Sequence, residues 1–238
     1  LRFIISGRLL GRKHKIIKAL NNWGLKPGER FEIPNDELHS ATPALIRRKD
    51  ASNITFAFSW MVPRKLAPTE VYAMSCLNHI LNGTTSSRIF GQARKNGLVY
   101  GMGSDLNNGW HNASWDFDGE VNAESAESLF ALIHRELQKI LDGNIKDADI
   151  EAAKSYATGR YQMGAQTVNQ ISDYYADGYF VNGTLEKYER MPALIREITK
   201  DNIVDLAREF VASNINAMVA VSSVEKAMIN ELAEQLKF

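Results

Sequence analysis

Two side chains six positions apart could act together on a carbonyl group. Arg94 lies near the end of a short helix predicted over Ser87–Lys95, and Tyr100 lies in the strand that follows the turn at Gly97. A guanidinium and a phenol at one edge of a sheet would offer fixed hydrogen-bond donors to a carbonyl or a developing oxyanion. The alternative is that Arg94 only caps its own helix and that Tyr100 packs with its hydroxyl in water.

A second candidate is a row of carboxylates, formed by Asp116, Asp118 and Glu120 on one face of a predicted strand. At this period of two they could receive a basic peptide side chain. The alternative is a solvated outer face, which is common in antiparallel sheets. Trp110 and His111, at the end of the same hairpin, could extend a peptide-binding surface or could serve only in packing.

Metal and nucleophile motifs are missing from the sequence. The zinc motifs H-E-x-x-H and H-x-x-E-H are absent, and His134-Arg135-Glu136 lacks the second histidine that either motif needs. The single cysteine, Cys76, excludes an internal disulfide and is interpreted as a small buried hydrophobic residue. Gly101-Met102-Gly103 lacks the third glycine of a dinucleotide site and indicates room for close backbone packing. The sequence therefore assigns neither a catalytic residue nor a metal ligand to this chain. The histidines, interpreted as solvent-facing or core residues, are His14, His39, His79, His111 and His134.

Composition excludes several classes of partner. The 238 residues contain 28 Lys and Arg and 28 Asp and Glu, so the formal net charge is zero. This balance gives no basic surface for nucleic acid, and no apolar run is long enough to cross a membrane. A single thiol permits a reducing compartment, and a cytoplasmic location is the resulting expectation.

The elements that would position these residues predict an α+β fold, in which an antiparallel or mixed sheet is covered on one face by helices. Alternation of apolar residues predicts half-buried strands, and the triplet Asn107-Asn108-Gly109 predicts a hairpin whose turn uses positive φ angles. An apolar stripe from Leu129 to Leu141 predicts a helix that ends at Gly143. The strands are predicted at Ala44–Arg48, Ser52–Trp60, Leu98–Leu106, Trp110–Val121 and Ile215–Val221. The other helices are predicted at Pro68–Leu81, Ala148–Met163 with Asp147 as cap, Asn169–Tyr179, Leu185–Ile198, Lys200–Val211 with Thr199 as cap, and a final helix carrying Met228, Ile229, Leu232 and Leu236.

The two ends of the chain are similar. Leu1–Ser6 is predicted as a strand and leads through Gly7 into a helix with Ile16, Ile17 and Leu20, and the chain closes with another strand and helix. This repetition suggests that the sequence begins in the last unit of a similar, preceding domain. The predicted organisation is residues 1–23 as that tail, 24–42 as a linker rich in turn signals, and 43–238 as the main domain.

The segment Ser86-Ser87-Arg88-Ile89-Phe90, followed by Arg94 and Gly97-Leu98-Val99-Tyr100, resembles the signature of the C-terminal, zinc-free domain of M16 metallopeptidases. This family includes the insulinase, pitrilysin and processing-peptidase types. The late segment Ile198–Ile203, with Ala207 and Phe210, is similar to the family's capped helix. The resemblance implies the M16 metallopeptidase-like fold, also called LuxS/MPP-like. It also implies that Arg94 and Tyr100 bind the substrate backbone.

The resemblance further implies a place for this chain in a larger enzyme. Zinc and the hydrolytic chemistry would lie on an N-terminal M16 zinc domain, in the same polypeptide or on a partner subunit, and no cofactor would bind this chain. The substrate would be an unfolded peptide, and a homodimer is possible. The alternative is a non-catalytic M16-like structural or interaction subunit, because several family members have lost the zinc ligands.

Overall fold

A five-stranded mixed sheet forms the centre of the computed structural model, which describes residues 3–26, 28–29, 31–35, 37–183 and 185–238 and, of Asn182, the backbone only. The strands are β1 (Ala44–Arg47), β2 (Asn53–Val62), β3 (Val99–Asn108), β4 (Ala113–Asn122) and β5 (Asn216–Ser222). Their order across the sheet is β1-β5-β2-β4-β3, and only β1 and β5 pair in parallel. The helices are α1 (Lys13–Asn21), α2 (Pro68–Asn82), α3 (Phe90–Lys95), α4 (Ala126–Leu141), α5 (Asp147–Met163), α6 (Val168–Asn182), α7 (Met191–Arg196), α8 (Lys200–Ala212) and α9 (Lys226–Glu234).

Strict alternation in the central strands separates a buried face of the sheet from an open one. In β2 every second residue from Ile54 to Val62 is buried, and the intervening residues are partly or fully exposed. The ring of Phe58 stacks on that of Phe117 in β4, with centroids 4.8 Å apart. Offset stacking of aromatic rings adds about 0.5–1.5 kcal/mol to the gain from burial. The aromatic side chains of β2 and β4 therefore fix which face of the sheet the helices cover.

Helices α2, α4 and α8 supply most of the helical side of the core. In α4 the buried residues Leu129, Ile133, Leu137 and Ile140 recur at helical spacing, which turns one stripe of the helix towards the rest of the core. Burial of each such side chain contributes about 1.5–3 kcal/mol. The predicted α+β fold, with helices on one face of the sheet, is confirmed.

Two of the predicted helix ends are confirmed in detail. Helix α4 ends just before Gly143, which has a φ of 73°, the left-handed conformation that favours glycine. Helix α8 is capped by Thr199, whose hydroxyl accepts a hydrogen bond from the backbone N–H of Asn202 at 3.2 Å.

The predicted strand at Leu1–Ser6 is wrong for the part that can be compared. Residues 3–6 form no strand, and Leu1 and Arg2 lie outside the described residues. A strand needs a neighbour to accept its hydrogen bonds, and none of the described strands pairs with this segment. The following helix α1 forms as predicted, and none of its residues is buried against the described part of the chain.

Three further predictions on helices need correction. The helix predicted at Leu185–Ile198 is broken into a 3₁₀ turn at Tyr188–Arg190 and the short helix α7, which begins at Met191-Pro192. Proline is favoured in the first turn of a helix, where its missing N–H is not needed.

Asp147 is the first residue of α5 and not its cap, since the extended residue Lys146 precedes it. The helix predicted from Ser87 begins only at Phe90, because the Ser87 hydroxyl donates to the carbonyl of His79 instead.

The hairpin between β3 and β4 exists, but its predicted turn is wrong. Asn108 pairs with Ala113, and residues 109–112 form the connection, closed by a hydrogen bond from the Gly109 N–H to the Asn112 carbonyl at 2.9 Å. None of the described residues of this connection has a positive φ. A four-residue loop is built on ordinary φ values, so the positive φ of a two-residue turn is not required.

Candidate functional site

Arg94 and Tyr100 are brought together by the turn between α3 and β3. Gly97 has a φ of 68°, and the N–H groups of Gly97 and Leu98 donate to the carbonyls of Arg94 and Ala93, at 3.1 and 2.9 Å. These two bonds form a Schellman motif, which ends a helix and reverses the chain. The glycine in the sequence therefore determines where the helix stops and directs Tyr100 back towards Arg94.

The contact between the two residues has two parts. Nη1 of Arg94 donates a hydrogen bond to the backbone carbonyl of Tyr100 at 2.7 Å, and the guanidinium carbon lies 4.8 Å from the centroid of the Tyr100 ring. The second distance is within the range of a cation–π contact. Arg94 thus bonds to the strand and not to the carbonyls of its own helix. The Tyr100 side chain is 87% exposed, and its hydroxyl has no hydrogen-bond partner among the described residues.

The pair lies at the start of β3, which is the last strand of the sheet. Val99 pairs with Val121 and Met102 with Gly119, so Tyr100 and Gly101 lie in a β-bulge with one residue more than β4 has. Bulges redirect side chains and are frequent at sheet edges. No described strand pairs with the outer edge of β3, which leaves this edge available for an extended peptide.

The carboxylates of β4 face the open side of the sheet, as their alternation with buried Trp115 and Phe117 predicts. Two of the three accept hydrogen bonds from nearby side chains. Asp116 accepts from the Ser114 hydroxyl at 3.0 Å, and Glu120 accepts from the Asn53 side chain at 2.6 Å. These bonds favour the solvated outer face over a site for a basic side chain.

Other residues singled out from the sequence lie in packing contacts. Trp110 makes an edge contact with the ring of Phe180 at 5.5 Å. Burial raises the pKa of Cys76 to about 11, so its thiol is protonated at neutral pH, as expected of a buried hydrophobic residue.

The prediction of close packing at Gly101-Met102-Gly103 is wrong for Gly101, because a Cβ built there meets no described atom within 4 Å. The close approach occurs instead at Gly119 on β4, where a Cβ would lie 2.9 Å from Phe56.

A cavity of about 700 Å³ between α2, α5 and the inner side of β3 was not predicted from the sequence. Its lining includes His79 and Asn82 of α2, Ser104 of β3 and Tyr156 of α5. These residues are distant in the sequence and form no known motif, so no local signal could have identified them. Across the described residues, no group of three or more His, Cys, Asp or Glu side chains is placed to hold a metal ion.

The family of the chain follows from a match to a family model. Residues 13–156, more than half of the chain, match the family described as Peptidase M16 inactive domain. The chain therefore belongs to this family, and the resemblance found in the sequence is confirmed. The match includes the segment with Arg94 and Tyr100. A search of curated proteins found no match.

Solved structures share the fold at low sequence identity. A protease from Helicobacter pylori is 16% identical with a TM-score of 0.72, and the match covers 88% of this chain and 52% of that one. A peptidase M16 inactive domain from Pseudomonas fluorescens is 17% identical with a TM-score of 0.72, covering 84% of this chain and 48% of that one. A chain of complex III2 from Candida albicans is 13% identical with a TM-score of 0.79, covering 94% of this chain and 56% of that one. This chain thus spans about half the length of these structures. No helix among the described residues is long and apolar enough to cross a membrane.

Proposed function

We propose that the chain is the C-terminal, substrate-binding half of a zinc-dependent M16-type peptidase. In this proposal the chain holds an unfolded peptide, and a zinc site on an N-terminal M16 domain hydrolyses it. That domain would lie in the same polypeptide or on a partner subunit, and its zinc would supply an activated water. The observation that carries the proposal is the exposed pair Arg94–Tyr100, at an open sheet edge of a chain that belongs to the inactive-domain family.

The geometry of the pair supports a role in holding a peptide. One Arg94 nitrogen is used by the Tyr100 carbonyl, which keeps the guanidinium in place and leaves its other N–H groups available. The exposed Tyr100 hydroxyl is a second donor on the same edge. A peptide that lay along β3 would gain main-chain hydrogen bonds from the strand, and a donor at the end of the strand would fix its position.

The proposed domain organisation assigns residues 1–23 to the preceding domain, 24–42 to a linker and 43–238 to the substrate-binding domain. Helix α1 supports the first assignment, because none of its residues is buried against the described part of the chain. Trp23 just beyond it is 59% exposed. An amphipathic helix without a packing partner is expected where the partner belongs to a different domain.

A second candidate function is a non-catalytic subunit that serves structure or partner binding. The similarity of the fold to a chain of Candida albicans complex III2, with a TM-score of 0.79, favours this alternative. The exposed Arg94–Tyr100 pair favours the peptidase, since a scaffold would gain nothing from an exposed phenol at an open edge. A cytoplasmic location and a homodimer remain proposals, which cell fractionation and sedimentation of the complete protein would test.

The experiment that tests peptide holding is a binding titration on the complete polypeptide that carries this chain. A fluorescein-labelled unfolded peptide is titrated and its anisotropy recorded, with the wild type compared with Arg94→Ala. The proposal predicts saturable binding that weakens about tenfold or more in the variant. Equal binding by the two proteins would show that Arg94 holds no peptide and would favour the interaction subunit.

A further inference from the structure

Buried polar atoms without a partner among the described residues belong to three residues that line the cavity between α2, α5 and β3. They are Nδ1 of His79, Nδ2 and Oδ1 of Asn82, and Oγ of Ser104, all buried and without a hydrogen-bond partner in the part of the chain that the structure describes. The whole Asn82 residue is only 8% exposed. Buried polar side chains in folded proteins are bonded in the large majority of cases, and each unpaired one reduces stability. The occurrence of three such residues around one cavity is the observation from which a binding site is inferred.

The floor of the cavity, which is the name used here for His79, Asn82 and Ser104, carries no charge. Burial lowers the pKa of His79, whose ring stacks on that of Tyr156 with centroids 4.0 Å apart, so the imidazole is neutral at neutral pH. The charged lining residues Arg160 and Asp105 are exposed at the rim. A charged ligand group would lose its hydration at this floor without meeting an opposite charge. The chemistry of the floor therefore fits an uncharged group that both donates and accepts hydrogen bonds.

The walls of the cavity are rich in tyrosine. Tyr161 stacks on Tyr188 with centroids 4.1 Å apart, and Tyr174 meets Tyr188 edge-on at 4.9 Å. All three line the cavity together with Tyr72 and Tyr156. Aromatic walls favour a flat partner, because ring contacts add to the gain from burial.

We propose that this cavity binds an uncharged, flat side chain with a polar tip, tyrosine being the best match, from a peptide that lies along β3. This inference rests on the proposed peptide-holding function and adds to it a specificity site. Ser104 follows Tyr100 by four residues on the same strand, a distance of about 13 Å along an extended chain. One peptide could therefore contact the Arg94–Tyr100 pair with its main chain and place a side chain about four residues away into the cavity.

The test uses two fluorescein-labelled unfolded peptides that differ only in one central residue, tyrosine or alanine. They are titrated against the complete polypeptide that carries this chain, as the wild type, Asn82→Leu, Ser104→Ala and Arg94→Ala. We expect the wild type to bind the tyrosine peptide about tenfold more tightly than the alanine peptide. Asn82→Leu and Ser104→Ala should each reduce this preference and leave the affinity for the alanine peptide unchanged. Arg94→Ala should weaken both peptides equally.

Thermal unfolding gives a readout independent of the peptide. Because the Asn82 amide is buried and unpaired, Asn82→Leu should raise Tm while it weakens the tyrosine peptide. A wild type that binds both peptides equally, with Arg94→Ala weakening both, would overturn the cavity site and leave peptide holding intact. A lower Tm in Asn82→Leu with an unchanged tyrosine preference would also overturn it, and would assign the amide to the fold. Failure of both peptides to bind the wild type would refute peptide holding and the cavity site together.

Discussion

The guanidinium of Arg94 contacts Tyr100 twice, by a 2.7 Å hydrogen bond to its carbonyl and by a 4.8 Å approach of the guanidinium carbon to its ring centroid. The hydrogen bond uses main chain, so it does not depend on the side chain at position 100. The ring contact holds an exposed aromatic side chain in place at the edge of the sheet. Arg94 can therefore position Tyr100 as well as offer its own donors.

This double contact allows the hydroxyl of Tyr100 to be tested alone. Tyr100→Phe keeps the ring under Arg94 and the carbonyl that Arg94 bonds, so only the phenol donor is lost. If that donor stabilises the reacting carbonyl, kcat/KM of the complete protein should fall by about 100-fold. The measurement is hydrolysis of a fluorogenic unfolded peptide, with Tm recorded to show that the fold is unchanged.

Arg94→Ala should reduce kcat/KM further than Tyr100→Phe, because it removes the guanidinium donors and also the group that positions Tyr100. Lys95→Ala is the matched control. It removes a neighbouring cation that is exposed and forms no ion pair among the described residues, and its kcat/KM should remain within about twofold of wild type. Unchanged kinetics in Arg94→Ala and Tyr100→Phe would show that the pair has been wrongly assigned.

An ion network joins the loop after β2 to α2 and α8. Arg64 donates to both carboxylate oxygens of Glu70, at 2.9 and 2.8 Å, and to Oε1 of Glu209 at 2.6 Å. Arg64→Met leaves the two carboxylates close together without their shared cation. It should therefore lower the free energy of unfolding by about 1–2 kcal/mol, and this loss should be smaller at high salt. Urea unfolding measures it. The control Arg47→Met, which removes one exposed pair with Glu225, should cost about 0–1 kcal/mol. Equal losses in the two variants would contradict this account.

The same network makes stability depend on pH. The hydrogen bond from Arg64 lowers the pKa of Glu70 below its ordinary value of 4.5. A carboxylate with a lowered folded-state pKa contributes stability above its unfolded value, and this contribution is lost as the pH falls through the folded value. Glu70→Gln should therefore be less stable than wild type at neutral pH, and the difference should shrink in acid well below 4.5. A difference of constant size across this range would show that Glu70 contributes through packing and not through its charge.

Gly119 is predicted to be sensitive to a single methyl group. A Cβ there would lie 2.9 Å from Met102 Cβ and 2.9 Å from Phe56 Cζ, both inside van der Waals contact. Gly119→Ala should therefore lower the free energy of unfolding by about 1–3 kcal/mol. Gly101→Ala is the matched control on the neighbouring strand, because a Cβ there meets no described atom within 4 Å, and it should change stability by about 0.5 kcal/mol or less. Urea unfolding of the two variants decides, and comparable destabilisation of both would refute the crowding at Gly119.

Local patterns predicted the parts of the fold that depend on local physics. The alternation from Ile54 to Trp60 indicated a half-buried strand, since burial on one face imposes a period of two. Gly143 and Thr199 marked helix ends because both requirements are local. The chain leaves α4 through a residue with a φ of 73°, and the first turn of α8 needs an acceptor for a backbone N–H group. The prediction of a strand at residues 3–6 was wrong for the opposite reason. Its apolar composition was typical of a strand, but a strand also needs a partner, which the described part of the chain does not provide.

The candidate site was predictable to the same extent. The spacing of Arg94 and Tyr100 around Gly97 was enough to predict that the two residues meet. That Arg94 bonds the carbonyl of Tyr100 depends on the path of β3 and could not be predicted from residue types. The cavity lined by His79, Asn82 and Ser104 could not be predicted from the sequence, because it forms where two helices and a strand pack together.

The most direct test of the central claim is cleavage of an unfolded fluorogenic peptide by the complete gene product, with and without a zinc chelator. We predict cleavage that the chelator abolishes and that added zinc restores, with the zinc held outside the chain described here. Absence of cleavage by a folded gene product that binds no zinc, assayed together with any subunit that copurifies with it, would contradict the proposed function and would assign this chain to a non-catalytic subunit.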